Sequence, residues 1–298
     1  MGETLRDVIR DATARHLDAG HMVMGQCLSA VGRVGGTIPE GDRATELPCS
    51  DVAGAGFVVG AALAGRRPIY IVRYQGFQWF NSAIIVNYAA KSKALWGRPC
   101  PLLVRSIAME GGIGPVAGSS HHSIYHRMPG LKSFAPMTPG EWRAAYEEFM
   151  SGDDVVFLSE HRGAWGNHQE LLDLRPRNPE LVLFPISITR FAAIEAVEDP
   201  ELAGSRIAVH HVRRLRPFRP STEMIADLRA SVFGGVVLDD DYPDGAAKAI
   251  AHDLALASGR PMRVLGLADR TAGFAARVDN LPPSRDEIKN FIKELCYP

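Results

Sequence analysis

"LPCSDVAGAGFVVGAALAGRRPIYIV", residues 47–72, decides the fold. A lone acid, Asp51, heads a run of small and apolar residues that closes at Gly65. The run reads as a buried helix. Its glycines lower helix propensity, so Gly54, Gly56, Gly60 and Gly65 are expected to serve close packing. "PIYIV" follows, apolar without alternation, as a strand covered on both faces would be. A buried helix feeding a doubly covered strand predicts an α/β protein with a parallel sheet.

The same pattern extends in both directions. Upstream, Leu5, Val8, Ile9 and Ala12 have helical spacing, and "HMVMG" reads as a short strand. Downstream, "FQWFNSAIIVNYAAKSKALWG" reads as one long helix stopped by Gly97, and "PLLVRS" as a second buried strand. A glycine-rich loop, 111–118, precedes the strand "LKSFAP". Thr138-Pro139-Gly140-Glu141 is a capping box that predicts a helix from 139, and "VVFLSE" is the next strand. Residues 161–180 are polar with two prolines and read as a linker. A second alternating set then runs from "LVLFPI" to "MRVLGL", and a last helix begins at the capping box Ser284–Glu287. The expectation is two α/β domains, 1–175 and 176–298, with helices on both faces of each parallel sheet.

The chain has 298 residues, 46% hydrophobic and 22% charged, enough for two cores. Net charge is −1, and the arginine pairs 66–67 and 213–214 form no basic patch, which argues against nucleic acid. The longest apolar run, 52–65, falls short of the roughly 20 residues a membrane span needs. The N-terminal stretch carries acids and no apolar signal core, and Arg6 stands where a myristoylation motif wants Ser or Thr. Cys27, Cys49, Cys100 and Cys296 form no C-x-x-C pair, so they suggest neither zinc nor a redox motif and fit a reducing, cytoplasmic setting. "DDDY", 239–242, lacks ligand spacing and reads as a strand end, so no metal site is expected in this chain.

The stretch 47–69, with "NYAAKSKALWG", "MPGLKSFAPMTPGE", "DDVVFLSEH" and "VHHVRRLRPF", resembles β subunits of 2-oxoacid dehydrogenases, in the same order and over nearly the whole chain. The broader likeness is to transketolase-type thiamine diphosphate enzymes. This resemblance implies a pyrimidine-binding domain followed by a transketolase C-terminal domain. It implies thiamine diphosphate as cofactor. No G-D-G motif occurs here, so the diphosphate and Mg²⁺ ligands are expected from a separate α-type subunit, in an α2β2 assembly. Further expected partners are an acyl-carrier or lipoyl protein and a 2-oxoacid or sugar substrate.

Residue by residue, Asp51 matches the family's glutamate, a general acid–base carboxylate on the aminopyrimidine. The plain alternative is that Asp51 caps its helix. Phe77 matches the ring that stacks on the pyrimidine. Gln26 stands where the family often has Glu, and Arg73 where a dehydrogenase pattern has Met. A gap-free alignment puts Ala117 at the family's active-site histidine. His121 and His122 match it only if a few residues are deleted after them, and otherwise serve as surface or capping residues. His126, His161, His168, His210 and His211 are expected to be structural. Arg105 and Glu110 either line a substrate channel or are solvated, and Trp79 and Phe80 are core or subunit interface.

The implied activity is cleavage and formation of C–C bonds next to a carbonyl: 2-oxoacid decarboxylation with acyl transfer, or carboligation to an aldehyde or ketone. The alternatives are ketol transfer between sugars and a non-catalytic scaffold that kept the fold. A dinucleotide-binding reading fails, because the glycines begin inside a helix rather than after a strand.

Overall fold

A computed structural model describes residues 2–110, 116, 118–271 and 280–297. Most of the glycine-rich loop, with Ala117, lies outside them. The first half opens with α1 (Leu5–Asp18), β1 (Val23–Gly25), α2 (Ala30–Gly36) and β2 (Thr45–Glu46). There follow α3 (Asp51–Leu63), β3 (Ile69–Val72), α4 (Gln78–Ile84), α5 (Ser92–Trp96) and β4 (Leu103–Ala108). It ends with α6 (Ser123–His126), β5 (Leu131–Phe134), α7 (Pro139–Ser151) and β6 (Val155–His161). The second half has β7 (Leu181–Pro185), α8 (Thr189–Val197), β8 (Ile207–Val209), β9 (Arg214–Arg216) and α9 (Thr222–Ala230). It closes with β10 (Gly235–Leu238), α10 (Ala246–Ser258), β11 (Met262–Leu265) and α11 (Arg285–Cys296).

Two sheets result. The larger has the order β2-β1-β3-β4-β6-β5-β9, and the smaller β11-β10-β7-β8. All pairings are parallel except β5 with β9, which is antiparallel. The apolar runs behave as doubly covered strands should: every residue of β3, β4, β6 and β7 is buried. Each sheet has an apolar cluster on either face. The "RRLRPF" segment supplies β9, so the second half lends an edge strand to the first half's sheet.

Several local expectations change. The long helix after β3 is broken into a 3-10 turn at Gln75–Phe77, α4, a π segment at Ile85–Ala89, and α5. Gly97 does stop it, in the left-handed conformation at φ 62°. Of Gly54, Gly56, Gly60 and Gly65, only Gly54 is tightly packed, with Tyr70 Oη 3.0 Å from where a Cβ would sit. Gly56, Gly60 and Gly65 face no neighbour among the described residues. Val52 and Phe57 on α3, and Trp79 and Phe80 on α4, are large apolar side chains left exposed.

Residues 161–180 are no free tether. Trp165 is buried against Gly35, Leu5 N–H donates to Asn167 O at 2.7 Å, and Leu174 bridges to Val209. Thr138 caps α7, but Glu141 turns to a two-pronged pair with buried Arg190. Glu170 serves the helix end instead, accepting from Gly140 N–H at 2.7 Å. Arg105 is not solvated. It sits fully buried on β4, paired at 2.7 and 2.9 Å with Glu160 on β6.

Candidate functional site

Asp51 is the first residue of α3, and Ser50 before it takes the cap position with extended backbone. The Asp51 side chain caps nothing. Its Oδ1 accepts from Asn81 Nδ2 at 2.8 Å, and Asn81 Oδ1 accepts from Tyr70 Oη at 2.7 Å. Asn81 also donates to Phe77 O at 2.9 Å. Asn81 is fully buried, so α4 clamps the carboxylate from one side. Burial, and after it the Asp51 charge, raises the Tyr70 phenol well above its ordinary value. Tyr70 therefore stays a neutral donor.

Gln26, Asp51, Arg73 and Phe77 line one cavity of about 310 Å³, with Cys27 and Cys49 at its rim. It opens just past the ends of the parallel strands β1 and β3, where α/β sheets hold their ligands. Gln26 follows Gly25 at the end of β1; its buried Nε2 makes no well-formed hydrogen bond among the described residues, though it is near enough to the Tyr70 oxygen to lower that phenol's pKa slightly. Arg73 follows β3 and lies 5.0 Å over the Tyr74 ring. The lining thus offers a held carboxylate, a buried amide donor, an aromatic wall and a cation. An aminopyrimidine, with ring nitrogens and an exocyclic amine, fits that donor set.

The two histidines lie elsewhere. His121 lines a second cavity of about 540 Å³ with Trp79, Arg127, Asp241 and Tyr242. Its Nε2 is 3.0 Å from Ser119 Oγ. Burial lowers its basicity, Asp241 raises it and His122 lowers it again, with a net fall. His122 lines neither cavity. It is fully buried, with Nε2 3.0 Å from Asp239 Oδ1 and Nδ1 3.9 Å from Asp240 Oδ1.

These acids follow β10 directly and face the first half across a seam between the two sheets. "DDDY" is a strand end, yet its carboxylates are buried, which the sequence reading missed. Ser120 and Ser187 donate to Asp240 Oδ2 at 2.6 and 2.8 Å, and Ser123 N–H donates to Asp241 at 3.0 Å. Burial would lower the His122 pKa, but Asp239, then Asp241 and Asp240, raise it to about 10. His122 is therefore an imidazolium at neutral pH. A His122 ring nitrogen, Asp239 and Asp240 place three potential metal-ligand atoms within 4.8 Å of one another, in the stretch where no ligand set was expected; with both ring nitrogens protonated, the imidazolium itself supplies the positive charge there. Three acids behind a buried run, at the ligand-binding end of a parallel strand, were the available signal.

Of the other histidines, His126 lines the second cavity beside His121 and His168 is exposed, whereas His210 and His161 have fixed surroundings. His210 is held between Asp173 and Asp227 at 3.2 and 2.8 Å. His161 is buried and pushed down to about 3 by burial.

Comparison with known proteins agrees with this architecture. Residues 28–167 match the family "Transketolase, pyrimidine binding domain". The β subunit of acetoin:2,6-dichlorophenolindophenol oxidoreductase from Cupriavidus necator is 29% identical over 44% of this chain and 40% of its own. The pyruvate dehydrogenase E1 β subunit of Rhizobium meliloti is 24% identical over 99% of this chain and 70% of its own. The pyruvate dehydrogenase E1 β subunit of Mycoplasma pneumoniae is 29% identical over 61% of this chain and 60% of its own, so the Cupriavidus and Mycoplasma proteins are each matched over less than two thirds of their length. A solved structure titled as a split-gene transketolase, inactive β4 tetramer, superposes with a TM-score of 0.76 over 99% of both chains, at 14% identity. Residues 28–167 are thus similar to transketolase pyrimidine-binding domains, and the chain as a whole shares the fold of the split-gene transketolase. Its similarity to pyruvate dehydrogenase β subunits runs over nearly its full length, at 24% identity.

Proposed function

We propose that this chain is the β-type subunit of a two-chain, thiamine diphosphate-dependent enzyme that cleaves and forms C–C bonds next to a carbonyl. The observation that carries the reading is the convergence of Asp51, Gln26, Arg73 and Phe77 on one cavity at the strand ends. Thiamine diphosphate, when bound, supplies a carbon acid that becomes the nucleophile. Asp51 holds or accepts a proton at the pyrimidine, with Asn81 fixing its orientation. Gln26 gives a hydrogen bond, Phe77 packs on the ring, and Arg73 adds positive charge at the mouth.

The diphosphate and its Mg²⁺ belong to an α-type partner in this reading. The exposed Val52, Phe57, Trp79 and Phe80 on α3 and α4 support a partner there, since large apolar side chains left in water in number mark interfaces. The superposed neighbour supports it too, being an inactive tetramer of β chains alone. The domain boundary near 175 belongs to the same proposal, as does a 2-oxoacid donor.

The test is C2 hydrogen–deuterium exchange of bound thiamine diphosphate by NMR, on the chain purified with an α-type partner. Fast exchange in the wild type, lost in Asp51→Ala while the complex persists, is expected. Exchange no faster than that of free cofactor in both would refute the reading and leave a scaffold.

A further inference from the structure

Two of the four cysteines stand side by side at the mouth of the Asp51 cavity. Cys27 Sγ and Cys49 Sγ are 3.9 Å apart across 22 residues of chain. Cys49 is exposed and Cys27 half-buried, whereas Cys100 and Cys296 are buried. Nothing in the sequence motif suggested a pair.

The backbone holds these thiols together. β1 and β2 run parallel, with Gly25 opposite Glu46. Leu47 N–H donates to Gly25 O at 2.8 Å. The Glu46 carboxylate accepts from the N–H groups of Leu28 and Ser29 at 3.0 and 3.1 Å. The loops on either side of the thiols are therefore registered against each other, and Cys27 is held at φ 53°. A disulfide needs about 2.05 Å between sulfurs, so the pair must close by just under 2 Å.

We infer that Cys27 and Cys49 form a thiol-pair modification site, which a hydroperoxide-class oxidant converts to a disulfide across the cavity mouth. In the first step the exposed Cys49 sulfur attacks the peroxide O–O bond. It becomes a sulfenic acid, and the peroxide leaves as an alcohol. In the second step the Cys27 sulfur attacks Cys49 sulfur. The S–S bond forms, the S–O bond breaks, and hydroxide leaves as water with the Cys27 proton. Two electrons pass from the thiols to the peroxide in all.

The disulfide would pull on Cys49, two residues before Asp51, at the start of α3. It would narrow the cavity and shift the carboxylate against Asn81. This effect on a cofactor rests on the proposed function; the cross-link does not.

The chain is treated with tert-butyl hydroperoxide at a more alkaline pH of about 9.5, because the neighbouring Cys27 thiol, and after it Glu46 and Asp51, raise the Cys49 thiol above its ordinary value. Free thiols are titrated and peptides mapped by mass spectrometry. Two of the four thiols should be lost, with a linked Cys27–Cys49 peptide that dithiothreitol reverses. Neither Cys27→Ser nor Cys49→Ser should yield it. Cys49 oxidised to sulfinic acid with Cys27 still free, or Cys49 linked between two chains, would overturn the site. Thiamine diphosphate affinity of the α-partnered complex is then compared before and after oxidation, with at least a tenfold loss expected. Unchanged affinity after full cross-linking overturns the gating. A reduced complex that binds no cofactor refutes the proposed function and the gating with it, while the cross-link is judged by the peptide map alone.

Discussion

His122→Gln is the perturbation that reads the seam most directly. The imidazolium is fully buried and sits 3.0 Å from Asp239, whose other oxygen has no donor among the described residues. Glutamine keeps a polar side chain of similar reach and removes the charge. Breaking one side of a buried ion pair costs about 3–5 kcal/mol, because the remaining charge stays unpaired. For a folding unit of this size that is a fall of roughly 6–20 °C in melting temperature. The pH dependence gives a second readout. The folded pKa of His122, about 10, lies above its ordinary value of 6.5. Its contribution is fully present below pH 6.5 and is lost as pH rises through 10, at up to about 1.4 kcal/mol per pH unit. Wild-type stability should therefore fall between pH 7 and 9, and the variant should lose most of that slope, the remainder belonging to Asp240, whose carboxyl burial pushes up to about 7. Urea unfolding at the two pH values measures both. A variant within about 1 kcal/mol of wild type, or a wild type with equal stability at both values, would refute the imidazolium assignment. Adding Asp239→Asn to His122→Gln should recover part of the loss, since the orphaned charge is then gone.

Asn81→Ala removes the clamp on Asp51 and leaves the buried Tyr70 hydroxyl without its acceptor; about 1–3 kcal/mol should be lost in denaturant melts, with cofactor affinity falling as well. Asp51→Glu pushes the carboxylate about 1.5 Å further into the cavity and away from Asn81. C2 exchange should slow at least tenfold if the pocket is built for the shorter acid, and faster exchange would count against that fit. Arg105→Met strands Glu160 beneath Trp142 and should cost about 3–5 kcal/mol in thermal unfolding, whereas a solvated arginine would cost almost nothing. Gly130→Ala places a Cβ 1.8 Å from Ala90 O at φ 81°, so soluble yield and melting temperature should both drop sharply.

The doubly covered strands were legible because burial on both faces leaves an uninterrupted apolar run. "PIYIV", "VVFLSE" and "LVLFPI" all became parallel strands. Capping chemistry was legible at Ser284, where both reciprocal bonds form. It was half legible at Thr138, because Arg190 from the other half draws Glu141 away. No local pattern could report that. β9 escaped for the same reason: "RLR" is charged and short, and it is a strand only because β5 offers an edge. The pocket side chains near Asp51 could be matched position by position, since they lie on the ends of two strands and one turn. Asn81 could not, being one amide in a long helical pattern. His122 and the three acids meet only through the packing of two sheets, and the Cys27–Cys49 pair only through the register of β1 with β2.

One short segment ties these places together. Gln75 donates to Ser159 Oγ at 2.7 Å and accepts from His121 N–H at 2.7 Å, while Ser159 Oγ lies 3.3 Å from His122. Two residues on, Phe77 lines the Asp51 cavity, and Trp79 lines the second one. Gln78 donates to Ser106 at 2.9 Å and accepts from Tyr125, which fixes the turn from below. Asn81 then holds Asp51. The change from a 3-10 turn to an α-helix at Gln78 is what lets successive side chains point to different places. A glutamine, an aromatic and an asparagine within seven residues therefore join the charged seam to the carboxylate by direct contacts. Residues before α3 set where Asp51 starts, but its orientation is set by a helix whose own anchor lies at the junction of the two sheets. Stability of that junction and geometry of the pocket are thus carried by one set of hydrogen bonds, and a change at His122 has a continuous path to Asp51.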